Sequence, residues 1–168
     1  AALRGALREA IVAGLPTYAE CGGLMYLSRS ITWQGRTARM VGAIPGDAVM
    51  HARPVGRGYV QLQETAAMPW SRCSDAESGS LRGHEFHHSS LENLDPGVAF
   101  AYGVQRGHGI DGRRDGVLVH KVLASYAHLR TDAGSHWAPR FAAYVRSQRG
   151  QRGAAAATPS SEALALTA

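Results

Sequence analysis

Cys21 stands in the run Glu20-Cys21-Gly22-Gly23. A cysteine attacks as its thiolate, and the free thiol has a pKa of about 8.5, so a reactive cysteine needs its negative form stabilised. Before it, Leu15 to Ala19 (LPTYA) is a short, mostly apolar run readable as a buried strand. After it, LMYLSRS has helical spacing. A cysteine at such a junction lies at a helix N-terminus, where N–H groups and the helix dipole favour a negative sulfur. Gly22 and Gly23 allow a sharp bend and bring backbone N–H groups close to a reacting carbonyl. The same logic builds the nucleophile elbow of serine hydrolases. A base and an oxyanion hole are still needed. The competing reading is a small, buried, inert cysteine at a strand end.

A second concentration of chemistry is Gly83 to Ser89 (GHEFHHS), where His84, Glu85, His87 and His88 invite a metal reading. On an extended strand His84, Phe86 and His88 face one side, and Glu85 and His87 the other. Each face then offers two ligands with no third at an obvious spacing, so no metal site is expected. In the block RPVGRGYV, Arg53, Arg57 and Tyr59 are either cleft residues for a carboxylate-rich substrate or solvated surface groups. Tyr126 reads as core.

The elements that must position these residues follow from periodicity. Leu3, Leu7 and Ile11 recur every four residues and predict a first helix, with Gly14 as its C-cap. Ile31–Trp33 and Arg36–Met40 flank Gln34-Gly35 and predict a hairpin. Further strands are expected at Gly58–Gln63, Gly83–Ser89, Val98–Val104, Gly116–His120 and Lys121–Ala127, with a loop over Glu64–Gly79. Ser135 is placed to cap a last helix from about His136 to Ser147. From Gln148 onward the sequence is low in complexity, so the reading is one domain over 1–147 and a disordered tail over 148–168. Many short strands with helices at both ends predict an α/β domain with a central sheet.

Composition narrows the function classes. With 168 residues, 45% hydrophobic and 18% charged, the chain suits one soluble globular domain. No apolar run approaches the roughly 20 residues of a bilayer span. Arg4, Arg8 and Glu9 interrupt the N-terminal apolar residues, unlike a signal peptide, which points to a cytoplasmic protein. Two cysteines, Cys21 and Cys73, are too few for a disulfide framework. The net charge of +5 is spread along the chain without a nucleic-acid recognition motif. An anionic small substrate or a partner domain accounts for it equally well.

PTYAECGGLMYL resembles the nucleophile segment of the cobyrinic acid a,c-diamide synthase family, and RPVGRGYVQL, GHEFHHS and ASYAHL (Ala124–Leu129) extend the resemblance in the family's order. The resemblance implies a class I, triad-type glutamine amidotransferase fold, flavodoxin-like, with a central mixed sheet flanked by helices. It implies that Cys21 attacks the side-chain amide of glutamine and that His128 is general base and acid. It further implies that Gly22 N–H forms part of the oxyanion hole, that Gly22 and Gly23 meet substrate, and that Glu85 contacts substrate or shapes the pocket. The ammonia would serve ATP-dependent amidation of tetrapyrrole carboxylates, the a- and c-positions of cobyrinic acid.

Two departures from the family pattern stand out. Many class I amidotransferases carry a glutamate two positions after the histidine, whereas His128-Leu129-Arg130 has an arginine there. A Cys-His dyad is therefore expected, with another group or a water orienting the imidazole. The family's glycine-rich oxyanion segment and its N-terminal ATP-dependent synthetase domain are also expected to be missing from this chain. No G-x-x-x-x-G-K-[ST] occurs, so ATP and magnesium are assigned to that other domain and no cofactor to this one. Glutamine, the synthetase domain and a tetrapyrrole are the implied partners; a homodimer is left open. Competing functions are a sirohaem amidase of the same family, an inactive amidotransferase-fold domain that binds a partner, and an unrelated cysteine hydrolase.

Overall fold

The Leu3/Leu7/Ile11 stripe forms helix α1 (Ala2–Val12), in which Ile11 is fully buried and Leu3 stays exposed. It ends at Gly14, whose positive φ of 85° is the left-handed turn expected after a helix C-terminus. The structure, a computed structural model, describes residues 2–70, 80–130 and 136–157. Cys73 and Ser135 lie outside the described residues.

The apolar run before the cysteine becomes β1 (Thr17–Glu20), and the glycines after it open α2 (Gly22–Leu27). The hairpin forms as β2 (Ser30–Trp33) and β3 (Arg36–Arg39). Gln34 and Gly35 both have positive φ, the two-residue turn that matches strand twist. The remaining strands are β4 (Asp47–Met50), β5 (Gly56–Glu64), β6 (Ser80–His87), β7 (Ser89–Glu92), β8 (Ala99–Arg106), β9 (Arg114–Val119), β10 (Val122–Ser125) and β11 (His128–Leu129). The single strand expected over Gly83–Ser89 divides at His88, and its second part joins the hairpin sheet. The last helix, α3 (Trp137–Ala157), runs ten residues past Ser147, where it was expected to stop. The Ala154–Ala157 run has the highest helix propensity of any residue type, which low complexity concealed.

Seven strands form one sheet in the order β1-β10-β9-β8-β5-β6-β11, and four form a second in the order β3-β2-β4-β7. In the large sheet β1 runs parallel to β10 and every other pairing is antiparallel, so the sheet is mixed. One apolar cluster joins Ile11 of α1 and Leu24 and Leu27 of α2 to Val122, Ala124 and Tyr126. Another joins Val60, Leu62, Leu81 and Leu129 to Trp137, Phe141 and Tyr144 of α3. Each fully buried Leu or Ile in these clusters contributes about 1.5–3 kcal/mol relative to exposure. The helices thus clamp the strands that carry Cys21 and His128.

Candidate active site

Cys21 occupies the turn between β1 and α2 with φ 45° and ψ −100°. A non-glycine residue at positive φ is strained and is held there by its surroundings. Its N–H donates to Ser125 O at 2.8 Å, carrying the β1–β10 pairing past the strand ends, and its carbonyl accepts the Met25 N–H at 3.1 Å. A Cβ on Gly23 would lie 3.2 Å from the Ala19 Cβ, so a side chain there would crowd the turn. Gly22 faces open space.

The electrostatics at the sulfur differ from the expectation of a stabilised thiolate. Burial pushes the Cys21 thiol above its ordinary value, the Gly22 N–H opposes this, and the Glu20 carboxylate adds to the rise. α2 has only six residues, too few to outweigh half-burial and an adjacent carboxylate. The resting group is therefore a thiol, and its chemistry requires a base.

His128 arrives on β11, paired with His84 of β6. Gly83 makes this possible, since a Cβ there would sit 2.7 Å from His128 O. The imidazole Nδ1 lies 3.0 Å from Glu20 Oε2. Glu20 Oε1 accepts the Leu129 N–H at 3.0 Å and the Tyr18 hydroxyl at 2.6 Å. A carboxylate only accepts, so Nδ1 carries the proton and Nε2 is left as the acceptor, the form a general base needs. Glu20 is thus the group that orients His128. Sequence reasoning sought that carboxylate two positions after the histidine; it lies 108 positions before it. The only sequence signal was an acidic residue at the end of the strand that carries the cysteine.

The segment between β10 and β11 is fixed by Asp115, another residue that sequence reasoning missed. Fully buried, it accepts the N–H groups of Gly116 (2.8 Å), Tyr126 (3.1 Å) and Ala127 (3.0 Å). Burial pushes its carboxyl up to about 6 against the pull of these three N–H groups.

Glu85, for which substrate contact, pocket shaping and a structural role were the readings, faces the interior and is 1% exposed. It accepts the N–H groups of His108 (2.7 Å) and Gly109 (2.9 Å), pinning that loop. Burial alone would raise its carboxyl, but His87 and the two N–H groups hold it below the usual range. The strand alternation is as expected: Glu85 and His87 are buried while His84 and Phe86 face outward. His87 stacks on Tyr126 at 3.8 Å, and Ser89 Oγ donates to the Tyr126 hydroxyl at 2.9 Å. Tyr126 is core, as its position suggested.

A cavity of about 790 Å³ opens beside His128. Its polar wall is Tyr59, Gln61, Arg82, His84, Arg106 and Arg130; Cys21, Gly22 and Gly23 do not line it. Arg53 and Arg57, the sequence candidates for a basic cleft, are exposed elsewhere, and three other arginines take that place.

Residues 1–136 match the family described as the CobB/CobQ-like glutamine amidotransferase domain. The chain belongs to this family. Cobyrinate a,c-diamide synthase of Magnetococcus marinus is 43% identical over 135 residues, covering 80% of this chain and 28% of that protein. The Methanosarcina acetivorans enzyme of the same name is 38% identical over 140 residues, covering 76% and 27%. The chain therefore spans a little over a quarter of the length of these curated relatives.

Solved structures place the CobB/CobQ-like domain among class I glutamine amidotransferase folds. A crystal structure of a glutamine amidotransferase superposes with a TM-score of 0.59 at 20% identity, covering 85% of this chain and 68% of the other. A glutamine amidotransferase from Thermotoga maritima superposes with a TM-score of 0.50 at 10% identity, covering 90% and 56%. At such identities the likeness concerns the fold alone.

Proposed function

We propose that this domain is a glutaminase that releases ammonia from glutamine through a thioester on Cys21. The observation that carries this reading is the Glu20–His128 contact at the residue preceding the cysteine. Cys21 Sγ attacks the side-chain amide carbon while His128 Nε2 takes the thiol proton. The developing oxyanion is met by the N–H of Gly22, which already faces the sulfur. His128 then gives its proton to the leaving nitrogen, the C–N bond breaks, and ammonia departs. Water, deprotonated by the same Nε2, attacks the thioester; glutamate leaves and the proton returns to sulfur. Throughout, Glu20 holds the imidazole in one tautomer and offsets the charge of the imidazolium.

The ammonia would be used in ATP-dependent amidation of tetrapyrrole carboxylates, a reading supported by the name shared by the relatives. ATP and magnesium would be held by a synthetase portion outside this domain. Glutamate release by the full-length protein, compared with Cys21→Ala, tests the hydrolysis. Wild type should turn over glutamine and the variant should lose at least about 10³-fold; equal rates would refute the mechanism.

A further inference from the structure

Glu20 and His128 meet across a gap that backbone pairing does not close. β1 and β11 are the two outermost strands of the seven-stranded sheet, so no ladder joins them directly. Side chains make the connection. Tyr18 and Glu20 are two positions apart on β1 and therefore project to the same face. On that face Glu20 Oε1 collects two donors, the Tyr18 hydroxyl and the Leu129 N–H, and Oε2 is left for His128 Nδ1. The imidazole needs this support, because His128 sits on a two-residue edge strand and its side chain is 43% exposed.

Tyr18 is itself held by aromatic rings from two other segments. Its ring stacks on Trp137 at a centroid distance of 4.4 Å and an interplanar angle of 27°. Trp70 and Phe141 approach it at 5.5 Å and 6.0 Å and lie 5.2 Å from each other. Stacked and tilted ring pairs add a defined geometry to apolar burial. Burial pushes the Tyr18 phenol well above its ordinary value, so the hydroxyl keeps its proton and remains a donor to Glu20. Trp137, at the start of α3, also donates its Nε1–H to the Leu129 carbonyl at 3.2 Å. One indole thus touches both supports of the carboxylate, the ring of Tyr18 and the backbone of Leu129. Trp137 lies one residue beyond the segment 1–136 that matches the family.

We propose that Tyr18 and Trp137 are positioning residues that act on His128 through Glu20. Tyr18 fixes the plane of the carboxylate, and Trp137 fixes Tyr18 and Leu129 with respect to each other. With both in place the imidazole keeps its proton on Nδ1 and presents Nε2 as the acceptor. The kinetic consequence rests on the glutaminase reading, whereas the tautomer does not. α3 then serves the site through Glu20 and not only as a cover for the sheet.

The test compares the full-length wild type with Tyr18→Phe, Trp137→Phe and Trp137→Ala. Nitrogen NMR of the His128 imidazole should show Nδ1–H alone in the wild type and a mixture of tautomers in Tyr18→Phe and Trp137→Ala. In those two variants kcat for glutamine hydrolysis should fall about tenfold while KM stays within about twofold. Trp137→Phe keeps a ring against Tyr18 and should recover most of the rate and of the wild-type tautomer. Variants that lose thermal stability but keep the wild-type tautomer and kcat would overturn the proposal, since the rings would then only pack. A fall in kcat with the tautomer unchanged would overturn it as well. If the tautomer responds as stated but the wild type releases no glutamate, the positioning stands and the glutaminase reading fails.

Discussion

Glu20 Oε2 lies 3.0 Å from His128 Nδ1, and Glu20 is the residue immediately before Cys21 in the chain. One strand end therefore supplies both the sulfur and the carboxylate that orients its base. β1 and β10 run parallel, with Glu20 opposite Ser125, and His128 follows Ser125 by three residues, which brings its imidazole to the Glu20 carboxylate. The acidic member of the constellation is inherited from the strand that positions the cysteine.

Glu20→Gln should lower kcat for glutamine hydrolysis by about 10²-fold or more, because the amide competes for the wrong imidazole tautomer. KM for glutamine should change little, and Glu20→Asp should recover part of the rate. Nitrogen NMR of the imidazole gives the tautomer directly: Nδ1–H in the wild type and a mixture in the variant. An unchanged kcat in Glu20→Gln would show that Glu20 only braces Tyr18 and Leu129.

Asp115 predicts a pH dependence. Its carboxyl is raised from an ordinary 3.8 to about 6, with burial as the main cause. The folded state therefore binds the proton more tightly than the unfolded chain. This contribution is fully present below pH 3.8 and is lost as pH rises through about 6, a change of about 3 kcal/mol. Asp115→Asn should flatten the decline in thermal midpoint between about pH 4 and about pH 6. It should also slow glutamine hydrolysis, since the Ala127 N–H loses its acceptor and the approach to His128 loosens. An identical pH slope in the variant would contradict the assignment.

Arg140 holds α3 to the sheet through a buried pair with Glu64, 2.6 Å and 3.1 Å for the two contacts, and a bond to Trp70 O at 3.3 Å. Arg140→Ala leaves Glu64 charged and buried, which costs about 3–5 kcal/mol. The thermal midpoint should fall by about 10 °C for a chain of this size. Adding Glu64→Leu should restore most of it. A single variant as stable as wild type would show that the pair contributes nothing to the α3 contact.

What the sequence disclosed was local. The strand–Cys21–glycine–helix junction, the Gln34-Gly35 turn and the alternation along Glu85–His87 are each set by neighbours a few residues apart. Glu20–His128 spans 108 residues and depends on β1 and β10 being parallel partners, which no local period encodes. The search for an orienting carboxylate therefore stopped at Arg130. The basic lining of the cavity was missed for a similar reason: Arg82, Arg106 and Arg130 sit far apart in the chain and become neighbours only through strand register. Asp115 and β4 lack any distinctive motif, and the thiol's raised pKa follows from burial, which spacing alone does not report.

The most direct test is to expose the full-length protein to an electrophilic glutamine analogue and locate the adduct by mass spectrometry. A single adduct is expected, on Cys21, blocked by excess glutamine and slowed in Glu20→Gln. An adduct distributed equally between Cys21 and Cys73, or labelling that glutamine does not suppress, would contradict the assignment of Cys21 as the nucleophile.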